Sequence, residues 1–420
     1  MTSFQAPTGT RDVLAPESAR FARLISTFAR EAQRAGYGLL ISPMFEDLAV
    51  FNRGIGEDSE VVTKEMYTFE DKGGRNLALR PEGTASVVRA FVQHRPLLPW
   101  KAWYVTPAFR YERPQAGRYR QHHQLGVEVL GSDDPDLDVE VIALLHDYLH
   151  RVGLRQLTLR VNSMGDENCR PAYLEVLVSY LGEHQARLCD EHQEGWEKNP
   201  LRVLDCKRPA CQLVLRDAPR FADSLCEECE LHIARVLEGL DAVGVRYSRD
   251  DFLVRGFDYY TRTTFEFSSS ALEGAQNAVG GGGRYNGLTE ALGGPATPGI
   301  GFGSGIERVL LAQEAEGLFD NEEPALELFV IDLAGGEHAR DLTYQLRSLG
   351  LSCDRAFDHR SMKAQLRMAD RSGARIALIV GQDEIEKGEV TLRVLRGEHE
   401  HHQEQVARGV MVERIRELLS

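Results

Sequence analysis

Apolar positions along this chain recur at two different periods, and each change of period marks an element boundary. Phe21, Leu24, Ile25, Phe28 and Ala29 recur at helical spacing. They predict a helix from about Pro16 to Ala35, opened by Asp12 and Pro16 and closed by Gly36 and Gly38. Leu39-Leu40-Ile41 before Pro43 predicts a short strand, and further helices are expected at Ala85 to Gln93 and Leu137 to Val152. Between the last two the period falls to two. Trp103, Val105, Phe109 and Tyr111 share one face, and Tyr104, Thr106, Arg110 and Glu112 the other. After a loop at Arg113–Gly117, Leu125, Val127 and Val129 alternate with Gln124, Gly126 and Glu128. This predicts an antiparallel hairpin with a polar side that lines something, and helices broken by such strands favour an α+β domain.

From about Cys169 to Val243 the pattern turns helical, with Leu231, Ala234, Leu237 and Leu240 as one stripe, before strand-like sequence returns at Phe252–Phe267. The stretch reads as a helical insertion, at about 169–243, within a first domain of residues 1–325. Acidic Glu314–Pro324 suits a linker. Beyond it, strand-like Leu326–Leu333, Ser352–Phe357 and Ile376–Val380 alternate with helical Arg340–Leu349 and Met362–Ser372. This predicts a compact α/β domain over 326–420, closed by a helix at Val406–Leu419.

Composition narrows the function classes. At 420 residues the chain is too long for one small domain, and 64 acidic against 49 basic residues give a net charge of -15. The overall field therefore excludes a general polyanion binder, and a specific nucleic-acid partner would need locally organised arginines. Basic residues are strongly skewed, 42 Arg to 7 Lys. Seven cysteines are too few for a disulfide scaffold. The N-terminus lacks a secretory pattern, and no apolar run approaches the roughly 18 residues of a membrane span. A cytoplasmic location with no membrane partner is expected.

The densest chemistry lies at Arg110-Tyr-Glu112-Arg113-Pro-Gln-Ala-Gly117-Arg118-Tyr-Arg120, continuing through Gln124 to Glu128. Guanidinium forks across a hairpin make a clamp for polyphosphate, and an amide and a carboxylate on the polar face would receive a small amine or imidazole. A solvated hairpin edge with ordinary surface charges has the same composition. Arg255-Gly-Phe-Asp258-Tyr259-Tyr260 sets a guanidinium beside a tyrosine wall, though a plain amphipathic strand with a surface ion pair reads the same way. Gly280–Gly283 followed by Arg284 is no P-loop, and Gly301-Phe-Gly303-Ser-Gly305-Ile-Glu-Arg308 lacks dinucleotide-fold spacing; it suggests a strand entering a helix. Cys206-x4-Cys211 and Cys226-x2-Cys229 hold the donors of a four-cysteine zinc site, with buried apolar thiols as the plainer account. The adjacent His122 and His123 point oppositely in a strand and make a poor metal fork.

Together these segments resemble the class II aminoacyl-tRNA synthetases, and within them the bacterial histidyl-tRNA synthetases. Gly38-Leu-Leu-Ile-Ser-Pro43 is similar to motif 1, Arg110–Glu128 to motif 2 and Gly301–Arg308 to motif 3. Leu253–Tyr260 and Ala278–Asn286 resemble two stretches peculiar to histidyl enzymes, and Pro7–Asp12 and Leu79–Thr84 also fit. The resemblance implies an antiparallel-sheet catalytic domain with a helical insertion and a C-terminal α/β anticodon-binding domain. It implies formation of histidyl-adenylate from L-histidine and ATP with Mg2+, then transfer to tRNA(His), by a homodimer that does not act on DNA. Glu82, Thr84, Gln124, Glu128, Tyr259 and Tyr260 would hold histidine. Arg110, Arg255 and Arg308 would meet carboxylate or phosphates as the catalytic set, and Arg110, Glu112, Arg118, Arg120 and Arg308 would bind ATP, with no resident metal site. Phe257 and His123 depart from the usual leucine and phenylalanine without removing a charged group. A silent regulatory relative would lack the full arginine set, and a purely RNA-binding chain would show basic tracts or aromatic platforms.

Overall fold

Alternation decides which face of the main sheet is covered. The computed structural model describes residues 4–57, 59–272, 277–318 and 326–420, and the chain splits into two units, Met1–Phe319 and Asp320–Ser420. In the first unit eight described strands form one sheet. Their spatial order is Gly38–Leu39, Trp100–Phe109, Gln121–Leu130, Gly299–Gly305, Ala278–Arg284, Thr261–Ser269, Leu157–Ser163 and Ser248–Arg249. The inner pairings are antiparallel and the two short edge strands pair parallel.

Leu125, Val127, Val129, Ile300, Phe302, Phe265, Phe267, Leu159 and Val161 lie in one core with the helices Glu17–Arg34, Pro135–Arg151, Glu227–Ala242 and Ile306–Ala315. Burying each such side chain is worth about 1.5–3 kcal/mol, so this face holds the sheet. The helix Pro135–Arg151 starts where Asp134 accepts the Asp136 N–H at 3.0 Å, with proline in its first turn. Its Asp138 is fully buried and takes Arg284, itself 0% exposed, at 2.5 Å and His232 at 3.1 Å. The clamp ties three elements together beneath the open face.

The expected helices near residues 16, 85 and 137 are present as Glu17–Arg34, Thr84–His94 and Pro135–Arg151. Other expectations need correction. The hairpin strands end at Phe109 and restart at Gln121, so Arg110 and Glu112 belong to a longer loop, folded back by a Gln115–Arg118 bridge, and not to the strand. Of the strand-like Phe252–Phe267, only the part from Thr261 is strand, which leaves Arg255 and both tyrosines on irregular chain. The strand at residues 39–41 shrinks to Gly38–Leu39. The insertion has its own core, with Tyr173, Leu177, Leu181, Leu204, Val214 and Phe221. The helix Glu227–Ala242 is not part of it, because Ile233, Val236 and Leu240 join the main core while Leu231 is 60% exposed. The sequence stripe is out of phase at its start, where Leu231 and Ala234 are exposed, and meets the core only at Leu237 and Leu240. A small sheet of Phe45–Asp47, Asn76–Leu79 and Thr68–Glu70 was not foreseen; its short strands lack a sustained period.

Of the expected linker, Glu314 and Ala315 end the helix Ile306–Ala315, and residues 319–325 lie outside the described residues. In the second unit the strands Cys353–Arg355, Leu328–Asp332 and Ile376–Val380 are parallel, followed by antiparallel Glu389–Val394 and Gln403–Ala407. Ile376, Leu378 and Val380 enter one core, Ala377 and Ile379 another, which explains why that strand is a continuous apolar run. The closing helix starts at Met411, since Val406 sits in a strand.

Candidate active site

The uncovered face of the main sheet has a glycine floor. Glu128 pairs with Gly301 and Gly301 with Gly283; in the next row, Gly126 pairs with Gly303 and Gly303 with Gly281. Functional side chains lie over these glycines, and at two of them occupy the space a Cβ would take. A Cβ on Gly301 would fall on the Glu128 carboxylate, and one on Gly303 on the Gln124 amide. One on Gly281 would come within 2.9 Å of the Arg255 guanidinium, and one on Gly283 within 3.1 Å of the Tyr260 ring. The glycine repeats are therefore a sheet surface lowered to make room for polar groups, and not a phosphate loop.

Glu128 is the centre of the first cluster and is 0% exposed. Its carboxyl receives the hydroxyls of Thr84 at 2.7 Å, Tyr104 at 3.3 Å and Tyr285 at 2.6 Å. Burial pushes the carboxyl up to about 8, although the three hydroxyls pull it down. Burial thus shifts this carboxyl toward its protonated form, while the three donated hydroxyls are partners that the ionised form accepts. Glu82 is buried too and accepts the N–H groups of Thr84 and Ala85 at 2.6 and 2.7 Å, capping the helix Thr84–His94. Gln124 accepts the Gly83 N–H at 2.9 Å. Tyr259 lies between Tyr260, tilted against it 4.6 Å away, and Tyr285, edge-on 5.9 Å away, and Tyr260 also packs into the core of the insertion. All six residues expected around histidine thus share one neighbourhood.

Beside this cluster opens a cavity of about 820 Å³, walled by Arg110, Glu112, Arg118, Arg255 and Arg308 together with His122, Glu266 and Arg160. Arg255 holds Glu266 at 2.7 Å, and Arg160 joins the same carboxylate at 2.5 Å and Asp250 at 2.9 Å. The Nε groups of both arginines are buried without a hydrogen bond. Arg110 donates to the Pro81 carbonyl at 2.9 Å with Phe257 under its guanidinium, 5.5 Å from the ring centre. Arg118 meets Glu112 at 3.0 Å. Burial, then repulsion from Arg118, lowers the Arg308 guanidinium from its ordinary value, a sign that cations converge here. Burial pushes His122 down to about 3, so it stands neutral in the wall. Its neighbour His123 points away to Glu307 at 2.8 Å, as adjacent strand residues must.

One expected ligand is not brought in. Arg120 lies over Tyr111, 3.9 Å from the ring centre, donates to the Glu112 carbonyl and does not line the cavity. The four-cysteine alternative is not formed either: Cys206 and Cys211 group with Cys189 and His192, while Cys226 and Cys229 group with Cys169 and Asp166. Sequence reasoning missed Tyr104, Tyr285, Glu266 and Arg160. The first three occupied segments already singled out, Glu266 closing the one that runs from Leu253, and Arg160 pairs with Glu266 directly across neighbouring strands, a register no single-strand pattern reveals.

The model of the histidyl-tRNA synthetase family matches residues 9–165 and 211–309, and that of the anticodon binding domain matches residues 327–418. The histidine–tRNA ligase of Halothermothrix orenii is 47% identical over 399 residues, covering 93% of this chain and 94% of that protein. That of Moorella thermoacetica is 49% identical over 395 residues, 93% of each. The apo histidyl-tRNA synthetase structure of S. aureus superposes with a TM-score of 0.82 at 35% identity, over 98% of this chain and 100% of that one. With the glycine floor, the buried glutamate and the arginine cavity in place, and relatives spanning nearly its whole length, the chain belongs to the histidyl-tRNA synthetase family of class II aminoacyl-tRNA synthetases.

Proposed function

We propose that the two neighbouring clusters divide the family's first reaction between them. The chain is a histidine–tRNA ligase: it activates L-histidine with ATP and transfers histidine to tRNA(His), releasing AMP and diphosphate. Activation needs attack of the histidine carboxylate on the α-phosphate. That carboxylate is already charged, so no nucleophile has to be generated. The barrier lies in bringing two anions together and stabilising charge on the phosphoryl oxygens. Arg110, Arg255 and Arg308 meet those charges with permanent guanidiniums, Arg118 holds the outer phosphates and Glu112 sits by the adenine. Glu128 takes the imidazole with one proton between them, while Glu82, Thr84, Gln124, Tyr259 and Tyr260 shape the rest of the amino-acid pocket. An amino acid without a matching ring nitrogen leaves Glu128 unpaired, the expensive kind of mismatch. The observation that carries this assignment is the buried Glu128 cluster opening beside an arginine-walled cavity.

Magnesium takes hard oxygen ligands, usually one or two carboxylates with the phosphates themselves. Glu112, Asp205 and Glu266 on the cavity wall are donors of that type. An ion arriving with ATP would neutralise phosphate charge there, while the chain's own residues hold and orient the triphosphate. The second unit reads the anticodon. A homodimer is proposed through the motif-1-like edge, where Leu39, Ile41, Met44 and Phe45 are 56%, 84%, 51% and 51% exposed around an unpaired strand edge. A cytoplasmic location suits the seven unbridged cysteines. Among the described residues no helix is long and apolar enough to cross a membrane.

Histidine-dependent pyrophosphate exchange, with and without tRNA, tests the assignment. Exchange is expected without tRNA, and its absence from folded protein would overturn it. Sedimentation at micromolar protein should show twice 47.0 kDa; a species of 47.0 kDa alone would remove the dimer.

A further inference from the structure

Six of the seven cysteines gather at two points of the insertion and its borders, all unbridged. Thiols acting as small hydrophobes would be scattered through a core. These converge four ways, each group completed by one non-cysteine donor, with ligand atoms all within 4.8 Å of one another. Tetrahedral zinc with Zn–S near 2.3 Å and Zn–N or Zn–O near 2.0 Å places sulfurs about 3.8 Å apart and sulfur about 3.5 Å from the lighter donor. In the first group, Cys189 Sγ lies 3.9 Å from Cys206 Sγ and 3.2 Å from His192 Nδ1, and Cys211 Sγ lies 3.7 Å from that nitrogen. In the second, Cys169 Sγ lies 3.9 Å from Cys229 Sγ and 3.6 Å from Asp166 Oδ1, and Cys226 Sγ lies 3.8 Å from that oxygen. In each set these three edges fit a tetrahedron around a small ion, and the remaining edges are no longer than 4.8 Å. A disulfide would need sulfurs about 2.05 Å apart.

We propose that the chain holds two structural zinc ions, one at Cys189, His192, Cys206 and Cys211 and one at Asp166, Cys169, Cys226 and Cys229. The local chain geometry explains the convergence. Cys189 and Cys226 each directly precede a helix, Asp190–Gly195 and Glu227–Ala242, and the ligand three residues on, His192 or Cys229, lies in its first turn. These are the two positions whose side chains meet at a helix start. The surroundings are arranged as outer partners of metal ligands. Cys211 Sγ accepts the Cys189 N–H at 3.3 Å, and Cys169 Sγ accepts that of Asp166 at 3.4 Å. Asp166 Oδ2 accepts from Arg262 at 3.3 Å while Oδ1 faces the thiols. All four positions of each site come from protein, as in structural sites and unlike catalytic ones.

The two ions have separate duties. The second ties the exit of the strand Leu157–Ser163 to the start of the helix Glu227–Ala242, and so closes the insertion at both its ends. The first fixes Cys206, whose flanking residues Asp205 and Lys207 line the nucleotide cavity. Most of these ligands lie in residues 166–210, which the family model does not match.

The test uses the full chain, expressed with zinc and purified without chelator. Elemental analysis should give two zinc per chain, released stepwise by a mercurial that titrates thiolates. X-ray absorption at the zinc edge should give on average three sulfurs and one nitrogen or oxygen per ion. Cys206→Ser and Cys229→Ser should each lose one equivalent, and the apo-protein should take up Co(II) with the intense visible bands of tetrahedral thiolate ligation. Protein without stoichiometric zinc that takes up no Co(II) would overturn both sites. An oxygen-only shell would do the same, without any variant having to fold. Two equivalents retained in Cys206→Ser would remove the first site, and two retained in Cys229→Ser the second.

Discussion

Glu128→Gln isolates the group placed against the imidazole. The amide is isosteric, so the glycine floor at Gly301 still accommodates it. Its oxygen can go on accepting Thr84 at 2.7 Å and Tyr104 at 3.3 Å, and Tyr285, at 2.6 Å, needs only to turn its hydroxyl toward the new NH2 group as acceptor. The pocket keeps its shape and loses its titration. A hydrogen bond to a charged partner contributes about 1.5–3 kcal/mol, so KM for histidine should rise by about 10- to 150-fold while KM for ATP stays put. The pH profile is the sharper readout. The parent carboxyl is pushed up to about 8, so below that pH the free site carries a proton for the imidazole to share. As pH rises through about 8 the free site loses it, and histidine affinity should decline on that alkaline side. The amide cannot titrate, so Glu128→Gln should lack this limb. The assay is histidine-dependent pyrophosphate exchange across pH. A variant whose KM stays within twofold of the parent, or whose limb near 8 persists, would show that Glu128 does not hold the ring.

Arg255→Ala should slow adenylate formation by about two to four powers of ten with little change in histidine binding, because Glu266 keeps Arg160 and the fold survives; rapid-quench adenylate formation near the parent rate would exclude the role. Gly301→Ala drives a methyl into the Glu128 carboxylate and should cost about 1–3 kcal/mol with loss of histidine binding, so a calorimetric histidine titration matching the parent would contradict the floor. Asp138→Asn takes from the buried Arg284 its fully buried carboxylate, leaving it Asp133 at 3.1 Å and two backbone carbonyls, and should cost about 3 kcal/mol in urea unfolding. Burial raises the Asp138 carboxyl, but His232 and Arg284 more than offset this and leave it below its ordinary value. Its contribution is therefore complete above about 3.9 and lost as pH falls through the depressed value, a loss that Asp138→Asn should not show. Deleting residues 326–420 should leave adenylate formation measurable and abolish most tRNA charging, since the second unit encloses its own cores; efficient charging by a folded truncation would end its role in recognition.

Elements with long uniform periods were readable from the chain. Leu125–Val129 against Gln124–Glu128 gave both faces of a central strand, and Gly305 before Ile306 gave a strand-to-helix junction the structure reproduces. What failed depended on distant partners. The helix Glu227–Ala242 was assigned to the insertion because its stripe says only that one side is covered, not by which core. The Gln115–Arg118 bridge ends the hairpin strands earlier than alternation suggests, and the small sheet around Asn76–Leu79 draws its strands from separate segments. At the site, residue types pointed to Glu128 and the arginines, whereas Tyr285, Glu266 and the regrouped cysteines became visible only when register and packing placed them. Arg120 shows the reverse: a right residue type in a right segment, turned onto Tyr111.

A surface cleared of side chains has no grip of its own. Gly281, Gly283, Gly301 and Gly303 add nothing to cross-strand packing on the substrate side, and glycine strands are intrinsically loose. The groups above Gly301 and Gly303 are therefore set from behind, by Ile300 and Phe302, which alternate with those two glycines and are buried to within 1%. Lesions in that hidden layer should present as kinetic defects before they present as unfolding. A screen for impaired activation would then recover substitutions at Ile300 or Phe302 that never touch a substrate, and reworking the pocket for a larger amino acid would begin with the side chains beneath it.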